Sequence, residues 1–522
     1  MKLHNTFIFT IIAITAYALI LTNYIVSADK KPLSVSSDIF LRFDINRDSI
    51  ISKDDLNCLK SELVSSKNCD NILDNDLNND GKENIVDLTV IKKHISSASK
   101  TIYLSSDGDD GNSGEITAPL ATLNHALEIA ETDGIIYIMN KFALPADFKW
   151  EEHSKTVTIT GDVLDCTATP RLKIRDGVTF KNINIIFKEG GLLYACGKSF
   201  RIEKSVNITG EIAFFGGDTE LVKSTNATLL SGNYYYIYGG GNYADVSGDI
   251  FLSVGGKVNN LPQTGYSKDN TYSIFGGCIE GNVGGNIHLN IEGNINQNLN
   301  YKSHEPLACV YGGCNSGNVY GNIELNIGHD TKFNYIVGGG KGNYADVGEN
   351  ITVNFSGNAM SIVGGNCDNI LNGNTQINIL DGWVEQIFGG CENASMVGNS
   401  TVNLSGGTIV RRVFGGCYNN LEKNLLPFAK KSDYHVSGTS TVIISDEVNI
   451  EYSKNANAFE DVGISAASRH KNSFEDEEAI VIFLNKDAKE KYSKKLGVSI
   501  NNKLLSNFIK FSSPYDTISV AE

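Results

Sequence analysis

The sequence predicts a mainly β chain: a long parallel β-solenoid, preceded by a small all-α, cation-binding module. Three observations predict it. Gly-Gly pairs begin at residues 216, 239, 276, 312, 338, 364, 389 and 415, and the last four intervals are 26, 26, 25 and 26 residues. A segment of alternating apolar and polar residues follows the pairs, as in NIHLNIEG, NIELNIGH and NITVNFSG. Ahead of all this lie two acidic twelve-residue strings, DINRDSIISKDD and DLNNDGKENIVD.

The chain has 522 residues, enough for a large buried core. Its 44 basic and 60 acidic residues give a net charge of −16. That balance argues against a nucleic-acid partner, because phosphate backbones demand a basic footprint. Glycine is abundant at 52 and proline sparse at 8, which points to many tight turns without a collagen period. Residues 1–28 read as an export signal: Lys2, an apolar run from Phe7 to Ile25, then Val26-Ser27-Ala28 with small residues at a cleavage site. The chain is therefore expected outside the cell, secreted or at its surface. A membrane is involved only if that run stays uncleaved as an anchor. The ten cysteines, Cys58 and Cys69 among them, fall in an exported chain where disulfides are permitted.

Residues 40–98 form the first module. In the first string, positions 1, 3, 5, 9 and 12 of a calcium loop are Asp44, Asn46, Asp48, Ser52 and Asp55; Ile50 supplies the position-7 carbonyl. In the second they are Asp76, Asn78, Asp80, Asn84 and Asp87, with Lys82 at position 7. Calcium takes six to eight oxygen ligands, and alternate short oxygen side chains wrap it. Leu56, Cys58 and Leu59 match Leu88, Val90 and Ile91 at helical spacing after each loop. Two matched copies, starting 32 residues apart, form one duplication. The module resembles a type I dockerin, the calcium-folded plug by which secreted polysaccharide-degrading enzymes dock onto cohesin domains of a scaffold. The resemblance implies calcium as the cofactor and a cohesin as the partner, read by Lys53, Asp54, Ile85 and Val86. These two pairs differ, against a symmetric dual binding mode. Ser49 stands where a glycine normally makes the sharp turn, whereas the second loop has Gly81.

Residues 101–210 open the solenoid. TIYLSSDGDD reads as a strand and loop, and Leu120, Leu123, Ala126, Leu127 and Ala130 give a short helix its apolar face. DGIIYIMNKFAL, KTVTITGDV, VTFKNINIIF and FRIEKSVNITG read as strands. This stretch resembles the start of pectate-lyase-like right-handed parallel β-helices, in which a helix caps the first coil.

Residues 211–420 are the Gly-Gly coils. One repeat of this length with short strands fits one solenoid coil. Ile287, Leu289 and Ile291 point inward, while His288 and Asn290 point outward. Asn286, Asn322, Asn350, Asn374 and Asn399 are expected to stack as a turn ladder, with Asp249 in the earliest register. Asn290, Asn326, Asn354, Asn378 and Asn403 form a second, outward column. The residue after each Gly-Gly is Asp218, Gly241, Cys278, Cys314, Gly340, Asn366, Cys391 or Cys417. Such variety predicts a turn or wet corner. There the cysteines are either merely small, or bridge coils as Cys278–Cys314 and Cys391–Cys417. Residues 421–522 lose the period. LEKNLLPFAKKSDYH reads as an excursion, VSGTSTVIISDEVNIEY as one more coil, and AIVIFLN with the charged tail as a cap.

No nucleotide loop, zinc spacing or GxSxG string occurs. Asp245 and Asp346 sit in identical NYADV strings and read as turn residues; Arg411, Arg412, Arg469 and His470 read as solvated charges. Two intervals, 239 to 276 and 276 to 312, carry about ten extra residues at the same phase. These insertions supply Tyr266, Lys268, Asp269, Tyr272, Tyr301, Lys302, His304 and Glu305. Aromatic rings beside polar groups suit sugars, so they form a candidate carbohydrate lip. The expected function is a secreted, cohesin-docked component of a polysaccharide-degrading or carbohydrate-binding assembly. If it is an enzyme, the resemblance implies a polysaccharide lyase or glycoside hydrolase. The alternative is a non-enzymatic adhesin or structural rod tethered through the same module.

Overall fold

A computed structural model describes residue 89 and residues 101–259, 271–297, 299, 307–342, 344–418, 434–450, 463–465, 478–488, 490–491 and 517–520. The chain divides into two units, Met1–Lys100 and Thr101–Glu522. Residues 1–28, expected to be an export signal, and the twelve expected calcium ligands lie outside the described residues, as do Lys53, Asp54, Ile85 and Val86.

The second unit is mainly β and is built as the long stack of parallel strands that a β-helix requires. One line of pairing runs from Ile250–Asn259 through Ile287–Gly293, Ile323–Ile327, Ile351–Phe355, Thr375–Ile379 and Ser400–Leu404 to Thr439–Ile444 and Glu478–Phe483. A second runs from Arg171–Lys173 through Gly191–Tyr194, Glu211–Phe215 and the end of Thr225–Tyr238 to Thr271–Phe275, Leu307–Tyr311 and Lys332–Val337. It continues through Asn358–Val363 and Trp383–Phe388 to Thr408–Phe414. A third line is a chain of parallel bridges, Val222–Val246–Val283–Val319–Val347.

The alternating pattern sets the register. Leu289, Leu325, Val353, Ile377 and Val402 pair in sequence and are at most 1% exposed. A one-residue slip would turn this whole column outward, so the core specifies the register. Each such side chain stabilises the stack by about 1.5–3 kcal/mol. At the N-terminal end, helix Leu123–Ile129 buries Leu123, Ala126 and Leu127. Thr122 caps it, its hydroxyl accepting from the His125 amide at 3.3 Å. Leu120 precedes the helix and bridges to Leu104. At the other end, Glu478–Phe483 and Thr517–Val520 continue the first line of strands.

The Gly-Gly period has a cause other than tight turning. None of the paired glycines has a positive φ. A Cβ on Gly276, Gly312, Gly364 or Gly389 would lie 2.1 Å from the carbonyl oxygen of the glycine one coil on. Neighbouring backbones touch there, and only hydrogen fits between them. On the second glycine, a Cβ would meet the next coil's Cys278, Cys314, Cys391 or Cys417 sulfur at 2.4–2.7 Å, or the Asn366 oxygen at 2.1 Å.

The residue after each pair is no wet corner. Cys278, Cys314, Asn366 and Cys391 are 0% exposed, and Cys417 is 1%. The eight described cysteines are free and buried, so neither inter-coil bridge forms. Instead the Cys278 amide donates to the Cys314 sulfur at 3.2 Å, and the Cys391 amide to the Cys417 sulfur at 3.3 Å. The Gly340 amide donates to Asn366 Oδ1 at 3.0 Å in the same place. The column tolerates Cys and Asn because each offers the coil before it a buried acceptor.

Candidate functional site

Three surfaces outside the inner core carry chemistry. The first is the outward side of the second line of strands. Tyr194, Phe215, Tyr238, Phe275 and Tyr311 stack there coil upon coil, with centroids 4.7–5.3 Å apart. They are buried, so this is a satellite core rather than an open aromatic platform. Beside it, in register, run Tyr236, Ser273, Cys309, Tyr335, Ser361, Gln386 and Arg412. The hydroxyls of Ser273, Tyr335 and Ser361 are buried with no hydrogen-bond partner. Arg412, read from the sequence as solvated, is 5% exposed; its Nε donates to Gln386 Oε1 at 2.8 Å, and its guanidinium lies over Phe388 and Tyr418. Arg411 pairs with Glu385 at 3.2 Å.

The second is a non-repeated cluster at the first Gly-Gly coil. Asp218 Oδ1 meets Lys173 Nζ at 2.6 Å, and its Oδ2 lies 3.9 Å from Arg175. Lys173 also donates to Thr219 Oγ1 at 2.7 Å and sits over the Tyr194 ring. Burial pushes the Asp218 carboxyl upward, but Lys173, the Thr219 amide and the Cys196 thiol outweigh it and leave it below the usual carboxylate range. Burial, then the Asp218 charge, push the Cys196 thiol well up. An ionised, compensated carboxylate beside a neutral thiol suits holding a coil together, not proton donation at neutral pH. The cluster was hidden in the sequence because its cations and its carboxylate stand more than forty residues apart, with only the fold to join them.

The third surface is the turn face around the valine bridges. Two ladders of side chains run along it. In one, Asp249 Oδ1 accepts from the Asn286 amide at 2.7 Å; Asn286 in turn accepts from Asn322 at 2.9 Å, and Asn322 from Asn350 at 3.1 Å. Asn374, Asn399 and finally the Thr439 amide continue the series. In the other, Asp245 accepts from Asn282, Asn282 from Asn318, and Asn318 from Asp346. Both ladders begin with Asp. At that first place the carboxylate only accepts, and each Asp takes the backbone N–H and the Nδ2 of the next rung. The sequence-predicted turn roles of Asp245 and Asp346 hold. Asp346 ends its ladder with Oδ1 buried and unpartnered, and burial pushes its carboxyl upward. The outward column also bonds along itself, Asn326 to Asn290 at 2.8 Å and Asn354, Asn378 and Asn403 each to the one before at 2.7 Å.

Between the two ladders lie Ser247, Gly284, Tyr320 and Gly348, each one residue past a bridged valine. All four are exposed, Tyr320 by 59%. Tyr320 thus rises between glycines in both neighbouring coils. Sequence reasoning passed over it, although its signal is legible: an aromatic stands where its neighbours carry Ser or Gly.

Of the proposed lip, Tyr266, Lys268, Asp269, Tyr301, Lys302, His304 and Glu305 lie outside the described residues. Tyr272 belongs to strand Thr271–Phe275, not to the loop, and is 6% exposed. It sits in register with Ala308 of the buried core, so its ring is not presented to a ligand. Among the described residues, no three of His, Cys, Asp and Glu gather as metal ligands would. No family model, curated protein or solved structure matches this chain.

Proposed function

We propose that this protein is a secreted component of an extracellular polysaccharide-handling assembly, held to a scaffold cohesin by its N-terminal calcium loops and binding carbohydrate on a right-handed, pectate-lyase-like β-helix. The duplicated string, Asp44 to Asp55 and Asp76 to Asp87, carries the docking half of this reading. Six oxygen ligands per loop suit calcium, and binding free energy would then be folding free energy for the small module. Binding is favoured over cleavage by how three buried carboxylates are employed. Asp176 accepts from Trp150 Nε1 and from the His153 and Lys155 amides. Asp165 is paired with Lys141 at 2.7 Å, and Asp218 with Lys173.

A second reading has its own support. The amides of the outward column bond to one another, which suits a stiff rod or adhesin whose polar groups hold the coils. One experiment separates the two. The full chain is immobilised through a cohesin, with and without chelator, and then offered a panel of polysaccharides while reducing ends and unsaturated products are assayed. Chelator-sensitive capture with glycan retention is expected. Capture without retention or product would leave the rod; capture that ignores chelator would remove the docking assignment.

A further inference from the structure

We propose that the turn face centred on Tyr320 binds a neutral polysaccharide laid along the solenoid axis; the proposal rests on the carbohydrate reading above. The argument starts from hydrogen-bond valence. A side-chain amide has two N–H donors and one acceptor oxygen. Asn286 gives one N–H to Asp249 Oδ1 and spends its oxygen on Asn322, so one N–H remains. Asn350 gives one to Asn322 and its oxygen to Asn374, and likewise keeps one. Asn282, across the face, gives one to Asp245 and its oxygen to Asn318. Asn322, level with Tyr320, spends both of its N–H groups, on Asn286 and Glu349, so the free donors stand in the coils to either side, on Asn282, Asn286 and Asn350. Strand spacing sets these donors at multiples of about 4.8 Å along the axis. Such a row recognises a chain with regularly spaced oxygen acceptors.

Tyr320 supplies the other half. Its ring stands proud because Gly284 and Gly348 flank it. A Cβ on Gly284 would meet the Ser247 carbonyl oxygen at 2.3 Å, so that neighbour is held to glycine by backbone contact. An exposed ring with an open face, bordered by donors, matches a pyranose with its apolar face and its rim of oxygens. Charge selects within that class. Asp245, Asp249, Asp346 and Glu349 border the same face, with Glu349 accepting from Asn322 Nδ2 at 2.5 Å. A uronate or sulfated chain would be repelled by them; a neutral glycan would not.

The test uses the full chain as parent, Tyr320→Ala and Tyr320→Phe, with soluble β-glucan, xylan and mannan as neutral probes and polygalacturonate as the anionic one. The expected result is binding of at least one neutral probe, weakened more than tenfold in Tyr320→Ala and less than twofold in Tyr320→Phe, with melting unchanged in both. Binding by the parent should be insensitive to 0.5 M salt. Equal neutral-probe binding by parent and Tyr320→Ala would overturn this site and leave the carbohydrate reading standing. Binding of polygalacturonate alone would overturn the assigned substrate class. Failure of the parent to bind any probe would instead sink the carbohydrate reading itself, and this site with it.

Discussion

Replacing Gly312 by alanine tests the explanation of the Gly-Gly period. The new Cβ would lie 2.1 Å from the Gly338 carbonyl oxygen and 2.8 Å from Ile323 Cγ2. Real Cβ contacts essentially never fall under 3.0 Å, so the two coils must part by roughly 1 Å. Two bonds cross the gap at that point: the Gly312 amide to Val337 oxygen at 2.9 Å, and the Gly313 amide to Gly339 oxygen at 3.0 Å. An ångström of opening takes both out of range. Overpacking costs about 1–3 kcal/mol. Each buried backbone group left unsatisfied adds about 1–3 kcal/mol. The sum is on the order of 3–9 kcal/mol, read as a drop in melting temperature of roughly 10 °C or more. Gly348→Ala is the control. Its Cβ would come no closer than 3.4 Å to Tyr320 oxygen, an ordinary contact. That variant should melt within about 1 kcal/mol of the parent, raised if anything by the lower entropy of its unfolded chain. Far-UV circular dichroism on heating measures both. Coincident melting curves for the two alanine variants would show that inter-coil contact is not what selects glycine.

Three further outcomes are expected. Leu325→Asp should cost several kcal/mol by burying an unpaired charge, whereas Glu324→Gln, at a half-exposed rung beside His288, should cost about 0.5 kcal/mol or less; similar midpoints in urea would contradict the register. Burial pushes the Asp176 carboxyl up, but its Trp150, Lys155 and His153 donors hold it below its ordinary value. It therefore stabilises the fold above an unfolded value of about 3.9, and that contribution is lost as pH falls through the lower folded value. Asp176→Asn should thus lower stability at neutral pH and flatten the acid limb of the stability curve, and an unchanged limb would count against this assignment. Finally, because the described cysteines are free and buried, with the Cys166 and Cys314 thiols pushed up chiefly by burial, reductant should leave the solenoid's melting unmoved. A melting drop on reduction would reveal a bridge.

Much of the solenoid was legible because its signals are periodic. The alternation around Leu289 and Leu325 announced both the strand and its inward face, and the Asn286 series announced its own ladder. Other features depend on what lies one coil away. Nothing within a single Gly-Gly pair tells contact from turning; the answer is the carbonyl of the next pair. The residue after the pair read as a wet corner because Asp, Asn, Gly and Cys share polarity or small size, while the structure selects an acceptor or a void in a buried place. Arg412 read as solvated because its aromatic neighbours, Phe388 and Tyr418, reach it only through the coil packing. Tyr272 was misplaced by a boundary error of a few residues, since the insertion ends where strand Thr271–Phe275 begins.

The Asp249 ladder also has a direction. Every rung donates toward the N-terminus: Asn286, Asn322, Asn350, Asn374 and Asn399 each send a backbone N–H to an oxygen that precedes them in the chain. The first rung seeks no donor's outlet, and the last oxygen is taken by the Thr439 amide, which has no side-chain amide to pass on. A chain synthesised from its N-terminus thus meets a finished acceptor whenever a new coil arrives. At about 5–20 residues per second, a coil of this length emerges in roughly 1–5 s, long enough for strand pairing to settle before the next. The stack can lengthen at one end without disturbing what is already built, as a zipper closes from its fixed tooth. An extra coil carrying Asn at this rung could be spliced into the middle without changing either terminus, which makes the number of coils the easiest dimension of this molecule to alter.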